Sequence, residues 1–278
     1  MTETVCWSGD QTQGKRNYQE DYYKIIPPNA ECHQLVCILA DGMGGHAAGD
    51  VASKLAVEAF RDEIRKSGNV PHSQFLQALD AANRAIVNHI TTNPEANGMG
   101  TTLVGLELDG DQLHWISVGD SILYQVSGSS VKRLNANHSM APQLDAAAKR
   151  GEITREEALN SPSRNALLSA LTGDPVGRVD ISRTPWKVGS DDLILLASDG
   201  LETLAPEKIG ELLLRNANGS AEHLCKTLLD AIEAENSPGQ DNTTIIVARP
   251  FSISALGENL RDKTNDDDEV ITRAIEPR

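Results

Sequence analysis

Two short apolar runs, far apart in the chain, each end close to an aspartate followed by glycine, and this pattern constrains the fold most. Residues 34–40 (QLVCILA) precede Asp41-Gly42, and residues 192–197 (DLILLA) precede Asp199-Gly200 after one serine. Apolar runs of this length that stop at a turn dipeptide are typical of buried β-strands. We therefore expect two buried strands from distant parts of the sequence, each with a carboxylate at its end.

Elsewhere in the sequence, hairpin strands alternate with pairs of helices. Residues 101–108 and 112–118 are strand-like and meet across Asp109-Gly110-Asp111, which is a strong hairpin signal. Residues 122–127 continue as a third strand, and residues 243–247 (TTIIV) form a last one. Composition and apolar spacing predict two pairs of helices, at about 47–66 and 73–90 and at about 206–215 and 220–234. Adjacent strands and paired helices favour α+β layering with largely antiparallel sheets.

Length and composition permit a substantial core and limit the classes of partner. The chain has 278 residues with 39% hydrophobic content, enough for one large domain or two small ones. Its 25 Lys+Arg against 40 Asp+Glu give a formal net charge of -15, which disfavours binding to nucleic acid or to anionic membranes. The first residues are polar, and the apolar runs are too short to span a bilayer. We expect a cytoplasmic protein without nucleic-acid or membrane partners.

The four cysteines show no CxxC spacing and no dense framework, so we expect reduced thiols. A zinc site formed by Cys32, His33 and Cys37 is an alternative. A strand with alternating exposure explains these three residues more simply.

Three aspartates share one local context, at the end or the start of a predicted strand. Asp41 and Asp199 each follow such a strand, and Asp241 comes just before the last one. Carboxylates that converge at strand ends repel each other unless cations lie between them. Oxygen ligands without Cys or His suit Mg²⁺ or Mn²⁺ rather than zinc. A single Asp-Gly pair is most often a plain turn, so this interpretation depends on the set and its flanking residues.

Six short motifs occur in order along residues 5–249. They are Arg16-Asn17-Tyr18-Gln19-Glu20-Asp21, Asp41-Gly42-Met43-Gly44-Gly45-His46, Gly100-Thr101-Thr102, Gly119-Asp120-Ser121, Ser198-Asp199-Gly200 and Gly239-Gln240-Asp241-Asn242. In this order and spacing they resemble the PP2C-type (PPM) family of metal-dependent protein serine/threonine phosphatases, in its bacterial branch. The resemblance implies an α+β fold, a four-layer α-β-β-α sandwich with two antiparallel β-sheets flanked by helix pairs.

The resemblance also implies a catalytic metal centre that contains Asp41, Asp199 and Asp241. By similarity, Asp41 bridges two cations, Mn²⁺ or Mg²⁺, and the carbonyl of Gly42 binds one of them. Asp199 and Asp241 are expected to hold the other. Two cations about 3.5–4 Å apart share a water and lower its pKa, and the resulting hydroxide attacks the phosphorus of phosphoserine or phosphothreonine in line.

Four further residues receive roles from the same resemblance. Glu20 or Asp21 is expected to order metal-bound water, and Asp120 with Asp199 to form a third, weaker cation site. Arg16 matches the position of a phosphate-binding arginine, whose fork suits phosphate oxygens. The alternative for Arg16 is an ordinary surface salt bridge.

Several positions depart from the family pattern or have an open role. Gln19 stands where bacterial members commonly have Asn, and Ile122 stands where the family usually has an arginine that helps build the structure around the third site. His46 is either a leaving-group acid or a histidine at a helix start, so we leave it outside the catalytic set. The intact metal-site carboxylates argue against an inactive relative.

The sequence further predicts a catalytic domain over residues 1–250 and a flexible, acidic C-terminal tail over residues 251–278. Residues 138–175 match the family's variable flap beside the active site, where substrate choice tends to be made. We expect a helix at 141–150 and a second after Thr154, which forms a capping box with Glu157. Arg164 is expected to hydrogen-bond the flap to the core, and contact with the substrate is the alternative.

Two other classes of function compete with a protein phosphatase. One is a different two-metal phosphoester hydrolase, such as a nuclease or a small-molecule phosphatase, although the acidity disfavours a nuclease. The other is a catalytically weak module that binds phosphoproteins, which the intact Asp41 and Asp241 disfavour. The expected substrates are phosphorylated proteins, targets of a bacterial Ser/Thr kinase, and the expected state is a monomer.

Overall fold

The computed structural model describes residues 6–28, 34–44, 48–66 and 71–250. The strands within these ranges are β1 Trp7–Thr12, β2 Asp21–Ile26, β3 Leu35–Met43, β4 Gly100–Thr101, β5 Leu103–Asp109, β6 Gln112–Val118, β7 Ile122–Ser127, β8 Ser130–Arg133, β9 Asp180–Ile181, β10 Trp186–Lys187, β11 Leu193–Ala197 and β12 Thr243–Ala248. The helices are α1 Ala48–Arg65, α2 Phe75–Thr92, α3 Ala141–Lys149, α4 Arg155–Leu159, α5 Pro206–Arg215 and α6 Ala221–Glu235. Short 3₁₀ helices lie at Pro71–Gln74, Pro94–Ala96 and Asp199–Thr203.

The strands form two antiparallel sheets. One sheet has the order β1-β12-β11-β7-β8, and the other has the order β10-β6-β5-β3-β2, with β4 beside β3 and β9 beside β6. Helices α1 and α2 cover the outer face of the second sheet, and α5 and α6 cover the outer face of the first. The expected four-layer α-β-β-α sandwich is therefore confirmed.

Strands β3 and β11 explain why the two apolar runs do not alternate with polar residues. In β3, Val36 and Ile38 pack under α1 and α2, whereas Cys37 and Leu39 face the other sheet. In β11 the same division holds, since Leu195 packs against the helices and Leu196 against the opposite sheet. Both faces of each strand are buried, so nearly every residue is apolar.

The predicted elements agree closely with the structure, but some strands were missed. The hairpin between β5 and β6 turns at Gly110, whose φ of 59° is a left-handed value that glycine adopts without strain. The capping box of Thr154 and Glu157 is present at the start of α4. Strand β1 and the short strands β8, β9 and β10 were not predicted, and the last three have only two to four residues, too few for a periodic pattern.

Three expectations fall wholly or partly outside the described residues: the acidic tail at 251–278, the zinc alternative, because Cys32 and His33 are not described, and the role of His46. Within the described ranges, Cys6, Cys37 and Cys225 form no disulfide. No helix there is both long and apolar enough to cross a membrane.

Candidate active site

A cavity of about 770 Å³ lies at the edge where β3 and β11 end and β2 and β12 begin. Both sheets therefore contribute to its wall. Of the predicted site residues, all except Asp21 line it, and these are Arg16, Glu20, Asp41, Gly42, Asp120, Asp199 and Asp241. The structure brings together side chains that are up to 225 positions apart in the sequence.

Asp41 is held in place through its backbone. Its N–H donates to Thr102 Oγ1 at 3.0 Å, and its carbonyl accepts from Thr101 Oγ1 at 2.8 Å and from the Thr102 N–H at 2.9 Å. The motif Gly100-Thr101-Thr102 thus fixes the end of β3. The carboxylate of Asp41 stays available to a ligand.

Gly42 lies where two segments of backbone approach closely. A Cβ at this position would be 2.0 Å from the carbonyl oxygen of Gly49 in α1 and 2.6 Å from that of Glu20. The Gly42 N–H donates to the same Glu20 carbonyl at 3.1 Å. Glycine is therefore required at position 42, for packing between β3, the start of β2 and the first turn of α1.

Asp21 lies behind the cavity rather than in its wall, and its side chain is only 4% exposed. It pairs with Asp41 across β2 and β3. Its Oδ2 accepts from Ser198 Oγ at 2.7 Å and from Thr244 Oγ1 at 2.8 Å, whereas its buried Oδ1 has no hydrogen-bond partner. Burial raises the pKa of Asp21 to about 6, and the two hydroxyl donors oppose that shift.

Four other carboxylates at the cavity also have raised pKa values, chiefly through burial, namely Glu20, Asp41, Asp120 and Asp199. Burial and the charges of Asp120 and Asp241 raise the pKa of Asp199 to about 8. Burial raises the pKa of Asp120 to about 6, and it raises the pKa of Glu20 and, well above its usual value, that of Asp41. For Asp41, nearby aspartates add to the shift. Without a cation, this cluster therefore favours protonated carboxyl groups.

The residues fit hard divalent cations such as Mn²⁺ or Mg²⁺. The donors are carboxylate and carbonyl oxygens, which these ions prefer. A bound cation would relieve the mutual repulsion of the aspartates, and its bound water could donate to the unpartnered Asp21 Oδ1. In the part of the chain that the structure describes, no three His, Cys, Asp or Glu side chains already converge on one point. The carboxylates surround the cavity instead.

Arg16 provides positive charge at the cavity. Its Nη2 lies 2.5 Å from Asp241 Oδ2, and its side chain is 54% exposed. The other oxygen of Asp241, Oδ1, accepts from the Asn242 N–H at 2.8 Å. Both expectations for Arg16 thus remain open: it lines the cavity where a phosphate would bind, and it forms a salt bridge.

Residues 165–177 form much of the wall opposite the carboxylates. The base of this excursion is closed by backbone hydrogen bonds, since Met140 N donates to Ala166 O at 3.0 Å and Leu168 N donates to His138 O at 2.7 Å. Arg164 differs from the expectation. Its guanidinium binds Asp145 of α3, at 2.8 and 3.2 Å, and the Ala158 carbonyl, so it links parts of the excursion to each other rather than to the core.

The departures from the family pattern have clear structural settings. Gln19 accepts from the Asp21 N–H at 3.0 Å and donates to Thr12 O at 3.2 Å, so its amide supports the segment before β2. Ile122 is fully buried in the core under α5 and α6. His46 lies outside the described residues.

Sequence reasoning missed two supporting residues. Asn242 donates to Gln13 O and Tyr18 O and accepts from Glu20 N, each at 2.9 Å. It therefore fixes the loop that contains Arg16. Its place beside Asp241 in the last motif was the signal available. The other is Arg133, which contacts the Asp120 turn and had no sequence signal because β8 is so short.

The acidic cavity of oxygen donors between the two sheets fits a metal-dependent enzyme, and comparison with known proteins identifies the family. A family model described as "Protein phosphatase 2C" matches residues 9–242. The chain therefore belongs to the protein phosphatase 2C family, which is metal-dependent. The resemblance inferred from the motifs is confirmed.

Named relatives support the same assignment. The serine/threonine phosphatase Stp of Listeria monocytogenes is 33% identical over 220 residues, which are 77% of this chain and 84% of that protein. The serine/threonine protein phosphatase PstP of Mycobacterium tuberculosis is 34% identical over 216 residues, which are 76% of this chain and 39% of that longer protein.

Solved structures share the fold. PstP/Ppp of Mycobacterium tuberculosis has a TM-score of 0.69 at 29% identity, covering 88% of this chain and 98% of that one. Stp1 of Staphylococcus aureus has a TM-score of 0.75 at 26% identity, covering 89% and 96%. The catalytic domain of PstP in complex with two manganese ions has a TM-score of 0.67 at 27% identity, covering 87% and 96%.

The raised pKa values predict that the metal-free protein loses stability as pH rises. Asp21, Asp120 and Asp199 retain protons in the folded state that the unfolded chain has released above about pH 4. Their contribution to the free energy of unfolding is therefore fully present below about pH 4. It is lost as pH rises through the folded-state pKa values of about 6 and about 8. Urea unfolding of EDTA-treated protein between pH 5 and 8.5 measures this, and Mn²⁺ is expected to offset the loss because it binds the folded state.

Asp199→Asn is the informative variant for this prediction. Removal of one like charge is expected to make the metal-free protein more stable at pH 8, by on the order of 1 kcal/mol, and to flatten the pH dependence. Asp80→Asn, an exposed position on α2, serves as the control and should change neither. A metal-free wild type whose stability increases from pH 6 to 8 would contradict the prediction.

Proposed function

We propose that this protein hydrolyses phosphoserine and phosphothreonine residues of phosphorylated proteins in the acidic cavity. The observation that supports this most is that carboxylates from both sheets surround one cavity, beside an exposed arginine. The family assignment supports the reaction class. The names of the relatives support serine and threonine as the phosphorylated residues.

Two divalent cations, Mn²⁺ or Mg²⁺, are proposed to be held by Asp41, the Gly42 carbonyl, Asp199 and Asp241. The two manganese ions in the PstP structure support this number. Asp120 with Asp199 is proposed to hold a third ion, because their carboxylates repel each other across the same cavity. When bound, such cations lower the pKa of water enough to supply hydroxide near neutral pH.

The protein's own residues are proposed to position the reactants. The guanidinium of Arg16 can bind two phosphoryl oxygens at once and so orient the phosphorus. Glu20 and the unpartnered Asp21 Oδ1 are acceptors that can hold the O–H groups of water. Asp21 is buried, so bulk water is excluded from its carboxylate, which strengthens the electrostatic effect of that group. No leaving-group acid is assigned.

The biological setting is proposed from the relatives alone. Bacterial relatives named serine/threonine phosphatases support a role opposite a Ser/Thr kinase, on that kinase's substrates. A monomer in the cytoplasm is proposed for this chain.

Loss of a metal ligand is the first test of this proposal. Purified protein is expected to hydrolyse p-nitrophenyl phosphate and a phosphothreonine peptide with Mn²⁺ and to stop with EDTA. Asp41→Asn and Asp241→Asn should each lower turnover at least about 100-fold, since loss of an outer-shell partner already costs 10–100-fold. Asp80→Asn should retain full activity.

The outcomes separate the competing functions. Preference for the peptide supports a protein phosphatase, whereas efficient cleavage of small phosphoesters or DNA alone would support a different hydrolase. A folded wild type that binds the phosphopeptide but hydrolyses neither substrate with Mn²⁺ or Mg²⁺ would support the binding module instead.

Arg16→Ala distinguishes the two roles of this arginine. If Arg16 binds phosphate, KM for the phosphopeptide is expected to increase roughly 10-fold, since hydrogen bonds to charged groups contribute about 1.5–3 kcal/mol. Arg16→Lys should restore part of the loss, because lysine keeps the charge without the fork. The neighbouring exposed Lys15→Ala is the control. If KM is unchanged and only the Mn²⁺ requirement shifts, Arg16 is merely the ion-pair partner of Asp241.

We further propose that residues 1–250 form a catalytic domain and that residues 138–175 form a flap that selects the substrate. The cavity wall that this flap provides continues to residue 177. One support is the way the wall is anchored. Asn83 of α2 donates to Asp174 O at 2.8 Å and accepts from Gly173 N at 2.9 Å. These two hydrogen bonds fix the segment between Thr172 and Pro175, which line the cavity.

Asn83→Ala tests the flap. KM for the phosphopeptide is expected to increase by a factor of about 2–10, the equivalent of one lost hydrogen bond, while hydrolysis of p-nitrophenyl phosphate changes less than about twofold. Asn88→Ala, an exposed position on the same helix, is the matched control. Equal effects on both substrates would mean that this wall does not select the peptide.

A further inference from the structure

Arg133, the last residue of β8, binds the turn that contains Asp120. Its Nη2 donates to the carbonyls of Asp120 at 2.6 Å and of Ser121 at 3.1 Å. Its side chain is only 21% exposed. A guanidinium with this geometry fixes the backbone on which the Asp120 carboxylate stands.

Asn135 supports both the turn and the arginine. This residue is 5% exposed, and its Nδ2 donates to the same Ser121 carbonyl at 2.9 Å. Its Oδ1 accepts from the Leu123 N–H at 2.9 Å and from Arg133 Nε at 3.3 Å. The guanidinium is thus itself held in one orientation, as a bridge between two fixed segments requires.

A second contact of Arg133 reaches the segment of Asp199. Nη1 lies 3.6 Å from Oε1 of Glu202, and Glu202 belongs to the 3₁₀ helix that begins at Asp199. One guanidinium therefore contacts the Asp120 turn and the Asp199–Thr203 helix together. Its positive charge also opposes the raised pKa of Asp120, which burial and Glu202 increase.

The strand pairing shows why the arginine is at this position. Ile122 in β7 faces the core under α5 and α6, and as an apolar residue it supplies no positive charge to the turn. Arg133 lies on the neighbouring strand β8, opposite Tyr124. In this chain the positive charge beside Asp120 therefore comes from β8 rather than from the residue after Ser121.

We propose that Arg133 is a positioning residue for the cation site of Asp120 and Asp199, and that it sets the affinity of that site by holding the two segments at a fixed separation. This inference rests on the proposed function, because it concerns the third cation. It adds a residue outside the ligand set, and it assigns to this chain a replacement for the arginine missing at position 122.

Manganese binding measured by calorimetry on the metal-depleted full chain tests the proposal. Arg133→Met is expected to weaken the weakest Mn²⁺ site about 10-fold, in the range seen for outer-shell partners, and to change the tighter sites less than about twofold. The Mn²⁺ concentration for half-maximal p-nitrophenyl phosphate hydrolysis should increase in parallel. Lys132 is on the same strand, but its ammonium lies 4.2 Å from the Trp186 ring centroid. The control variant Lys132→Met should therefore have the Mn²⁺ affinities of wild type.

The results separate this inference from the proposed function. Wild-type Mn²⁺ constants in folded Arg133→Met would overturn the role of Arg133 alone, whereas a wild type that binds no Mn²⁺ would overturn the metal centre itself. If Arg133→Met does not fold, Arg133→Lys decides, because lysine keeps the charge but cannot contact both segments. Its weakest site is expected to bind Mn²⁺ more weakly than that of wild type, and unchanged constants would overturn the bridge.

Discussion

The repulsion between carboxylates at one edge of the sandwich is the constraint on which the site depends. Burial and like charge raise the pKa of Asp41 and Asp199 together, so the fold must hold groups that would separate in water. It does so through the backbone. Thr101 and Thr102 bind the peptide of Asp41, and Asn242 binds the loop before β2. Because these hydrogen bonds restrain the backbone of Asp41 and not its side chain, the carboxylate oxygens remain available to cations.

The sandwich supplies the stiffness that this arrangement needs. Strands β3 and β11 are buried on both faces, between a helix pair and the opposite sheet. Close-packed interiors of this kind resist small displacements, so their ends can present charged groups at defined positions. The wall opposite the carboxylates is built differently, from a long excursion held by a few hydrogen bonds, such as those of Asn83. The proposed metal binding and the proposed substrate choice thus involve parts of the fold that are held in different ways, the first by buried strands and the second by hydrogen bonds of a surface excursion.

Much of the fold and of the site was predictable from the sequence, because both depend on local patterns. Apolar runs predicted the buried strands, and the ordered motifs around Asp41, Asp199 and Asp241 predicted the acidic cavity. The contacts that could not be predicted depend on strand pairing and on loop packing. Asp21 is in a motif, but only the register of β2 and β3 shows that it lies directly opposite Asp41 on the neighbouring strand. Arg164 binds within its own excursion, a choice between two partners that no local pattern distinguishes.

Arg133 shows how a missing motif residue can be compensated by a neighbouring strand. A carboxylate that is to bind a cation needs a fixed backbone, and this requirement does not specify where in the sequence the supporting hydrogen-bond donor lies. In an antiparallel pair, residues of β7 and β8 lie side by side, and Arg133, opposite Tyr124, donates to the carbonyls of Asp120 and Ser121 just before β7. The apolar Ile122 then gains burial under α5 and α6 that an arginine there would lack. A departure from a family motif therefore indicates loss of function only where no residue on the neighbouring strand takes the place of the missing one.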